Sequence, residues 1–223
     1  MMTRVKICGV TNKEDALIAA EAGADAVGVV VEIPVKTPRR ITVEKAKEIL
    51  SSVPVFVSTV TVIMPRTIED AVRIVHELRP DVIQLQGYES HEFVSEIKKF
   101  LGVRIIKVIH IEEDRFNERN LDEIAGEIRG YENAGVCGVV LDTKTESGAG
   151  GTGRVHNWEL SKKINEKINL PLILAGGLNP GNVKKAVEMV EPYAVDVSSG
   201  VESAVGKKDN EKVKRFIEGA KSV

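Results

Sequence analysis

The sequence is short of cysteine, of aromatic residues and of any charge surplus. Two of its 223 residues are cysteines, Cys8 and Cys137, so no disulfide framework is available and a reducing, cytoplasmic setting is expected. Its 31 Lys and Arg against 33 Asp and Glu leave a net charge of −2, which argues against a nucleic-acid-binding surface. No apolar run approaches the roughly 20 residues that span a membrane, and the N-terminus reaches charges too early for a signal peptide. We therefore expect no nucleic-acid partner and no membrane partner.

What the chain does have is a regular alternation of short β-rich runs and amphipathic stretches. The predicted strands are Val5–Cys8, Ala26–Val31, Val55–Val60, Val82–Leu85, Val103–Ile109, Gly138–Leu141, Leu172–Ala175 and Ala194–Val197. Each is followed by a predicted helix: Lys13–Ala22, Val43–Leu50, Ile68–Leu78, Glu92–Leu101, Leu121–Ala134, Trp158–Glu166, Gly181–Val190 and Asn210–Ala220.

Alternating strands and helices predict a parallel sheet. Eight such units predict a single (β/α)8 barrel, a TIM barrel, forming one catalytic domain over residues 1–223. A doubly wound open sheet is the alternative, but its strands are usually apolar almost throughout. Here several strands instead end in alternating polar residues, which favours the barrel.

Polar side chains stand at the C-terminal ends of four predicted strands. Because residues i and i+2 share one face of a strand, Cys8, Gln86, Asp142 and Asp196 end rows that point into the barrel, and Lys6 points inward beside Cys8. Barrel enzymes place their chemistry at this rim, and an inward Asp is costly unless it is hydrogen-bonded or functional. Each residue alone could be a strand-end cap or a buried polar group, and a lone buried cysteine is more often a small hydrophobe. Several at one rim indicate a site.

Glycine-rich segments follow the last three strands. Residues 175–180 and 198–202 follow the seventh and eighth strands, where this fold commonly binds phosphate through backbone N–H groups. Residues 147–154 follow the sixth strand and suggest a flap that closes over a ligand. A tight turn and an ordinary flexible loop are the respective alternatives.

Five motifs, in order along the chain, resemble those of the phosphoribosylanthranilate isomerase family of tryptophan biosynthesis. They are Lys6-Ile7-Cys8-Gly9-Val10-Thr11 followed by Asp15-Ala16, Thr37-Pro38-Arg39, Leu141-Asp142-Thr143 with Gly150-Gly151-Thr152-Gly153, Ala175-Gly176-Gly177-Leu178-Asn179-Pro180, and the segment 194–202. The resemblance spans almost the whole chain. It implies an intramolecular oxidoreductase, an aldose–ketose isomerase that needs no metal or organic cofactor. Its reaction is the Amadori rearrangement of N-(5-phosphoribosyl)anthranilate, a phosphosugar, to 1-(2-carboxyphenylamino)-1-deoxyribulose 5-phosphate.

The resemblance also implies a role for each site residue. Cys8 is expected to be the general base and Asp142 the general acid. A thiol needs help to ionise near neutrality, which the Lys6 ammonium would provide, whereas a general acid must hold its proton, which burial favours. Substrate binding is expected from Arg39 (on the anthranilate carboxylate), Gln86 and Asp196 (on a ribose hydroxyl). Phosphate binding is expected from Gly151, Gly153, Gly176, Gly177, Ser199 and Gly200.

The chain departs from the family's pattern at several points. Gln86 stands where the family commonly has His, and glutamine cannot carry a proton. The segment Val30–Pro34 lacks the usual aromatic residue, and Thr59–Arg66 is expected to be a long apolar loop after the third strand. Its apolar part, Val60–Met64, would suit a dimer contact, so a homodimer and a monomer both stay open.

Two other classes of protein share parts of this pattern. A sibling phosphate-binding barrel would end its first strand in Asp, as in a histidine-pathway sugar-phosphate isomerase, or would bring catalytic Lys and Glu and an N-terminal extension, as in indole-glycerol-phosphate synthase. A non-catalytic phosphometabolite sensor would keep the glycine loops without needing both Cys8 and Asp142. The joint presence of these two residues favours the isomerase.

Overall fold

The structure is a computed structural model that describes residues 2–112, 118–144 and 157–223. Nine strands form one parallel sheet: β1 (Arg4–Ile7), β2 (Ala26–Val31), β3 (Arg40–Ile41), β4 (Ser58–Ile63), β5 (Val82–Leu85), β6 (Arg104–Glu112), β7 (Val139–Lys144), β8 (Leu172–Leu174) and β9 (Ala194–Val197). Their order is β1-β9-β8-β7-β6-β5-β4-β2-β3, and β1 also pairs with β2. The pairing of β1 with both β2 and β9 closes eight strands into a barrel, while the two-residue β3 lies beside β2. The expected TIM barrel is confirmed.

Eight helices alternate with the barrel strands: α1 (Lys13–Glu21), α2 (Val43–Leu50), α3 (Ile68–Leu78), α4 (His91–Phe100), α5 (Glu118–Asn133), α6 (Trp158–Lys167), α7 (Val183–Val190) and α8 (Asn210–Lys221). Every predicted helix is present, with ends that differ by at most three residues. Short polar side chains begin several of them, as at Thr42, Thr67 and Ser90, each of which accepts a hydrogen bond from a backbone N–H of the first turn. Within the described ranges, no helix has both the length and the apolar character to cross a bilayer.

The strands bury both faces, as a barrel requires. Val5, Ile7, Ile83 and Leu85 face outward and pack with the helices in the main core. The inward rows fill a second cluster formed by Val60, Ile106, Val108, Val140, Ile173, Ala175 and Ala194. The predicted alternation of β1, β5, β7 and β9 is therefore confirmed, and it carries the polar ends of these rows to the C-terminal rim.

The third predicted strand was placed three residues too early. Val55 and Phe56 are 89% and 96% exposed, and the strand is β4 (Ser58–Ile63), whose Val60 aligns with Gly28 of β2. The expected apolar loop Thr59–Arg66 is therefore wrong over most of its length. The dimer contact at Val60–Met64 is wrong as well, because residues 60–63 are buried within their own barrel.

A small antiparallel hairpin follows the last barrel strand. A 3-10 turn at Ser199–Val201 leads from β9 into β10 (Glu202–Ala204), which pairs with β11 (Lys207–Lys208). The hairpin buries the side chains of Glu202 and Lys208 close to the C-terminal rim.

Candidate active site

The structure brings the four predicted rim residues to the same end of the barrel. Cys8 directly follows β1, Gln86 directly follows β5, Asp142 lies within β7 and Asp196 lies within β9. Parallel strands place their C-terminal ends together, so these side chains converge. Cys8 and Asp196 are buried, while Gln86 and Asp142 are half-buried.

Lys6 joins the two sides of this rim through a line of hydrogen bonds. Its Nζ donates to Asp196 Oδ2 at 2.7 Å and to Gln84 Oε1 at 2.9 Å. Gln84 Nε2 in turn donates to Gln86 Oε1 at 2.9 Å. This line of hydrogen bonds runs from the Lys6 ammonium to Gln86, whose side chain is near enough to Asp142 to lower its pKa.

Cys8 lies beside Lys6 in a space left by a glycine. A Cβ atom on Gly28 of β2 would lie 3.0 Å from both Cys8 Sγ and Lys6 Cε, so a larger residue there would crowd both. Burial raises the pKa of the Cys8 thiol above its ordinary value, whereas the positive charges of Lys6 and Lys208 lower it. Lys6 acts in the direction expected from the sequence, and burial outweighs it.

The Lys6 ammonium keeps its charge because Asp196 is its partner. Burial alone would lower the pKa of Lys6, but the adjacent Asp196 carboxylate raises it above the ordinary lysine value. Lys6 therefore supplies a permanent positive charge beside Cys8 at any pH near neutrality.

Burial raises the pKa of Asp142 above its ordinary value. The Asp196 carboxylate raises it further, and His110, Gln86 and Lys6 lower it. The net result is a carboxyl group whose protonated form is favoured relative to an exposed Asp.

His110 is a rim residue that the sequence reasoning missed. It lies in β6, and its Cα is the register partner of Asp142 in β7. The predicted fifth strand ended one residue earlier, at Ile109. Continuing the inward row of Ile106 and Val108 by two more residues would have identified it.

Arg39 reaches the same rim, held by a carboxylate. Its Nε and Nη2 donate to Glu202 Oε1 and Oε2, each at 2.7 Å. Gly9, at a φ of +68°, gives Arg39 room, because a Cβ there would lie 2.7 Å from Arg39 Cδ. The neighbouring Arg40 is exposed and donates instead to the Ile33 carbonyl at 3.2 Å.

Glu202 and Lys208 form the support beneath Arg39, and neither was predicted as a site residue. Lys208 Nζ donates to Glu202 Oε1 at 3.1 Å and to the Ser198 carbonyl at 3.0 Å. Burial would raise the pKa of Glu202, but Arg39 and Lys208 lower it below its ordinary value. Glu202 was visible as the last residue of a glycine motif, but Arg39, the partner that makes it a site residue, is 163 positions away in the sequence.

The two glycine loops after β8 and β9 lie directly against each other. Gly176 and Gly177 adopt φ values of +83° and +65°, which favour glycine. A Cβ atom on Gly200 would fall 1.9 Å from the Leu178 carbonyl oxygen, so the two backbones meet there. Asn182 holds the first loop by donating from Nδ2 to the Gly177 carbonyl at 3.0 Å. Gly151 and Gly153 lie outside the described residues.

Two buried polar atoms at the rim have no hydrogen-bond partner within the described part of the chain: Asp196 Oδ1 and Ser198 Oγ. Buried polar atoms in proteins are usually paired. The Asp196 oxygen can accept a hydrogen bond, and the Ser198 hydroxyl can donate or accept one. Both therefore suit the hydroxyl groups of a polar ligand. Among the described residues, no three His, Cys, Asp or Glu side chains are grouped as metal ligands.

The chain forms a closed parallel barrel. At its C-terminal rim, a thiol and a carboxyl group lie next to paired glycine loops. These features define a (β/α)8-barrel enzyme. Comparison with protein families makes the class specific. Residues 5–219 match the family described as N-(5'phosphoribosyl)anthranilate (PRA) isomerase, and the chain belongs to this family.

Individual relatives agree along the full length. The N-(5'-phosphoribosyl)anthranilate isomerase of Methanocaldococcus jannaschii is 46% identical over 228 residues, covering 100% of this chain and 98% of the relative. The crystal structure of phosphoribosyl anthranilate isomerase from Thermotoga maritima is 38% identical, with a TM-score of 0.84 and full coverage of both chains. A further structure of such an isomerase, in complex with reduced 1-(o-carboxyphenylamino)-1-deoxyribulose 5-phosphate, is 36% identical with a TM-score of 0.81 and full coverage of both chains.

Proposed function

We propose that this chain isomerises N-(5'-phosphoribosyl)anthranilate to 1-(2-carboxyphenylamino)-1-deoxyribulose 5-phosphate, a step of tryptophan biosynthesis, in the cytoplasm. The observation that carries the proposal is the pairing of Cys8 with Asp142 at one rim. Cys8 directly follows β1 and Asp142 lies in β7, across the barrel mouth. The line of hydrogen bonds from Lys6 through Gln84 to Gln86 runs between them. One acid and one base placed in this way suit an Amadori rearrangement.

The reaction needs the acid first. Asp142 donates its proton to the ribose ring oxygen, the bond from that oxygen to C1′ breaks, and the nitrogen lone pair forms a protonated Schiff base. The raised pKa of Asp142 supports this role, because the group must arrive protonated.

The base acts next. The Cys8 thiolate removes the proton from C2′. The pair of that C–H bond forms the C1′=C2′ double bond, and the π pair of the C1′=N bond returns to nitrogen to give an enolamine. Tautomerisation then transfers a proton to C1′ and leaves the ketone at C2′. Lys6 and Lys208 support the thiolate, because their charges lower a thiol pKa that burial raises.

Arg39 binds the anthranilate carboxylate in this proposal. Glu202 occupies the Nε side of the guanidinium. Within the described residues no hydrogen bond involves Nη1, so the end formed by Nη1 and the second N–H of Nη2 can bind a substrate carboxylate. Asp196 Oδ1, buried without a partner, accepts a hydrogen bond from a ribose hydroxyl. Gln86 contacts the substrate near Asp142.

The glycine loops bind the phosphate. Gly176, Gly177, Ser199 and Gly200 lie where the loops after β8 and β9 meet. The family resemblance assigns the same role to Gly151 and Gly153, which lie outside the described residues. Backbone N–H groups at glycines approach an anion closely. No residue in this scheme calls for a metal or an organic cofactor.

A fluorescence assay tests the reaction and the two roles together. The substrate, generated in situ, fluoresces through its anthranilate ring, and isomerisation lowers the signal. We expect rapid decay with the wild type and about 10²–10⁴-fold lower kcat for Cys8→Ala and Asp142→Asn, with the fold intact. Cys137→Ala is the matched control. Cys137 is the exposed cysteine, so this variant should retain full activity.

The alternatives give different results. No decay with a folded wild type that binds a phosphate ester would favour the sibling barrel or the sensor. Decay that persists in Cys8→Ala or Asp142→Asn would refute that residue's role while keeping the reaction.

A further inference from the structure

His110 lies at the inward end of β6, directly beside Asp142. The two residues are Cα partners in the register of β6 and β7. Ile106 and Val108, four and two positions earlier, belong to the cluster inside the barrel, so the same alternation turns the His110 side chain toward the mouth. The imidazole is half-buried there.

One nitrogen of the His110 ring is committed to the backbone. Nε2 lies 2.9 Å from the Gln86 carbonyl oxygen. A carbonyl only accepts hydrogen bonds, so Nε2 carries a hydrogen. Any change in the charge of this imidazole must therefore occur at Nδ1.

His110 thus reaches Asp142 by two routes. It holds the backbone of Gln86, whose side chain is near enough to Asp142 to lower its pKa, and it faces Asp142 from the neighbouring strand. The Gln86 amide does not ionise. His110 is therefore the ionisable side chain that lies beside Asp142 on this side of the rim.

We propose that His110 is a positioning residue for Asp142. Its Nε2–H holds the Gln86 backbone at the rim, and its imidazole, on the strand next to Asp142, biases the ionisation of that carboxyl group. The catalytic consequence rests on the proposed function, in which Asp142 is the general acid.

Within the described residues, three charged or titratable side chains affect Asp142: His110 of β6, Asp196 of β9 and Lys6 of β1. The neutral amide of Gln86 lies near it as well. His110 also packs against the Tyr88 ring from the loop after β5, with ring centroids 5.4 Å apart. Of these residue types, histidine is the one that ordinarily changes charge between pH 5 and 8.

The direction of the effect follows from the charges. An imidazolium beside Asp142 stabilises the carboxylate, and among the neighbouring groups His110 lowers the pKa of Asp142 the most. Removing the imidazole should therefore let Asp142 hold its proton to a higher pH. A neutral amide at position 110 removes the charge but can keep the hydrogen bond to the Gln86 carbonyl. It therefore separates the effect of the charge from that of the hydrogen bond.

His110→Gln is the test variant, because its amide can still donate to the Gln86 carbonyl but carries no charge. His91→Gln is the matched control, since His91 Nε2 also contacts a backbone carbonyl, that of Glu127, at 3.1 Å and lies outside the rim. Carboxyl ¹³C NMR of aspartate-labelled protein reads the titration of Asp142 directly, with Asp142→Asn identifying its signal. We expect the pKa of Asp142 to rise by about 0.5–1 pH unit in His110→Gln and to stay unchanged in His91→Gln.

Activity provides the second readout. At high pH kcat falls because the general acid is deprotonated. The pH at which this happens should rise by the same amount in His110→Gln, while KM at the optimum changes little. An unchanged Asp142 titration in folded His110→Gln overturns the proposal, and His110→Asn replaces that variant if it fails to fold. The NMR titration does not depend on turnover. If the wild type is inactive but the Asp142 titration shifts in His110→Gln, the proposed function is refuted and the role of His110 stands.

Discussion

Arg39 and Glu202 are joined by two hydrogen bonds, with Arg39 Nε and Nη2 each 2.7 Å from a different oxygen of the Glu202 carboxylate. Two-point pairing of this kind fixes the plane of the guanidinium as well as its position. Lys208 Nζ at 3.1 Å and the Gly206 N–H at 3.2 Å complete the surroundings of the carboxylate. The hairpin after the last barrel strand therefore orients a residue from the loop after β2, which lies 163 positions earlier.

Glu202→Gln should both destabilise the protein and weaken substrate binding. The amide nitrogen would face donors, leaving Lys208 and Arg39 without a buried counter-charge, and breaking such a buried pair costs about 3 kcal/mol. Urea denaturation would measure the lower free energy of unfolding, and the assay described above should show a higher KM because Arg39 is less well oriented.

Glu32→Gln is the control for Glu202→Gln. Glu32 pairs with Arg73 at 2.6 Å, but both side chains are more than 40% exposed. Exposed ion pairs contribute less than about 1 kcal/mol. Equal losses in the two variants would contradict a special role for the Arg39–Glu202 pair.

The barrel and most of the rim could be predicted from periodicity. Because side chains in a strand alternate, the rows ending in Cys8, Asp142 and Asp196 could be assigned to the barrel interior without coordinates. The same reasoning failed at Val55–Val60, because Val55 and Phe56 are apolar yet exposed, and apolar character alone does not locate the start of a strand.

The residues that sequence reasoning missed depend on distant partners. His110 was one residue beyond a predicted strand end, which is where such predictions are least accurate. Glu202 and Lys208 belong to the site because Glu202 binds Arg39. Gln84 belongs to it because it binds Lys6, 78 positions away. No local pattern encodes these pairings.

Lys6→Met should destabilise the protein strongly at neutral pH. It leaves the buried Asp196 carboxylate without its partner and Gln84 Oε1 without its donor, and breaking a buried pair in this way costs about 3–5 kcal/mol. Lys6→Met combined with Asp196→Asn should recover part of the loss, because no unpaired charge is then left inside the barrel.

The pH dependence of this loss follows from the raised pKa of Lys6. A lysine whose pKa rises on folding contributes stability that is fully present below its unfolded value, about 10.4, and that is lost as the pH rises through the folded value. The difference in unfolding free energy between wild type and Lys6→Met should therefore be constant from neutral pH to about pH 9. Urea denaturation across that range checks this, and a difference that shrinks between those limits would contradict the raised pKa.

Gly200→Ala should disrupt the phosphate loops, because the added Cβ would lie 1.9 Å from the Leu178 carbonyl oxygen and 3.1 Å from Asn179 Cβ. The 1.9 Å contact with a backbone oxygen is too short for any alanine, so one backbone must move, at a cost of about 1–3 kcal/mol. Since the displaced loops are those proposed to hold the phosphate, calorimetry should show the Kd of the reaction product rising at least about tenfold, or ~1.4 kcal/mol. Gly102→Ala is the matched control, because no atom lies within 4 Å of its added Cβ, and it should leave that Kd unchanged. Product binding that survives in folded Gly200→Ala would place the phosphate elsewhere on the rim.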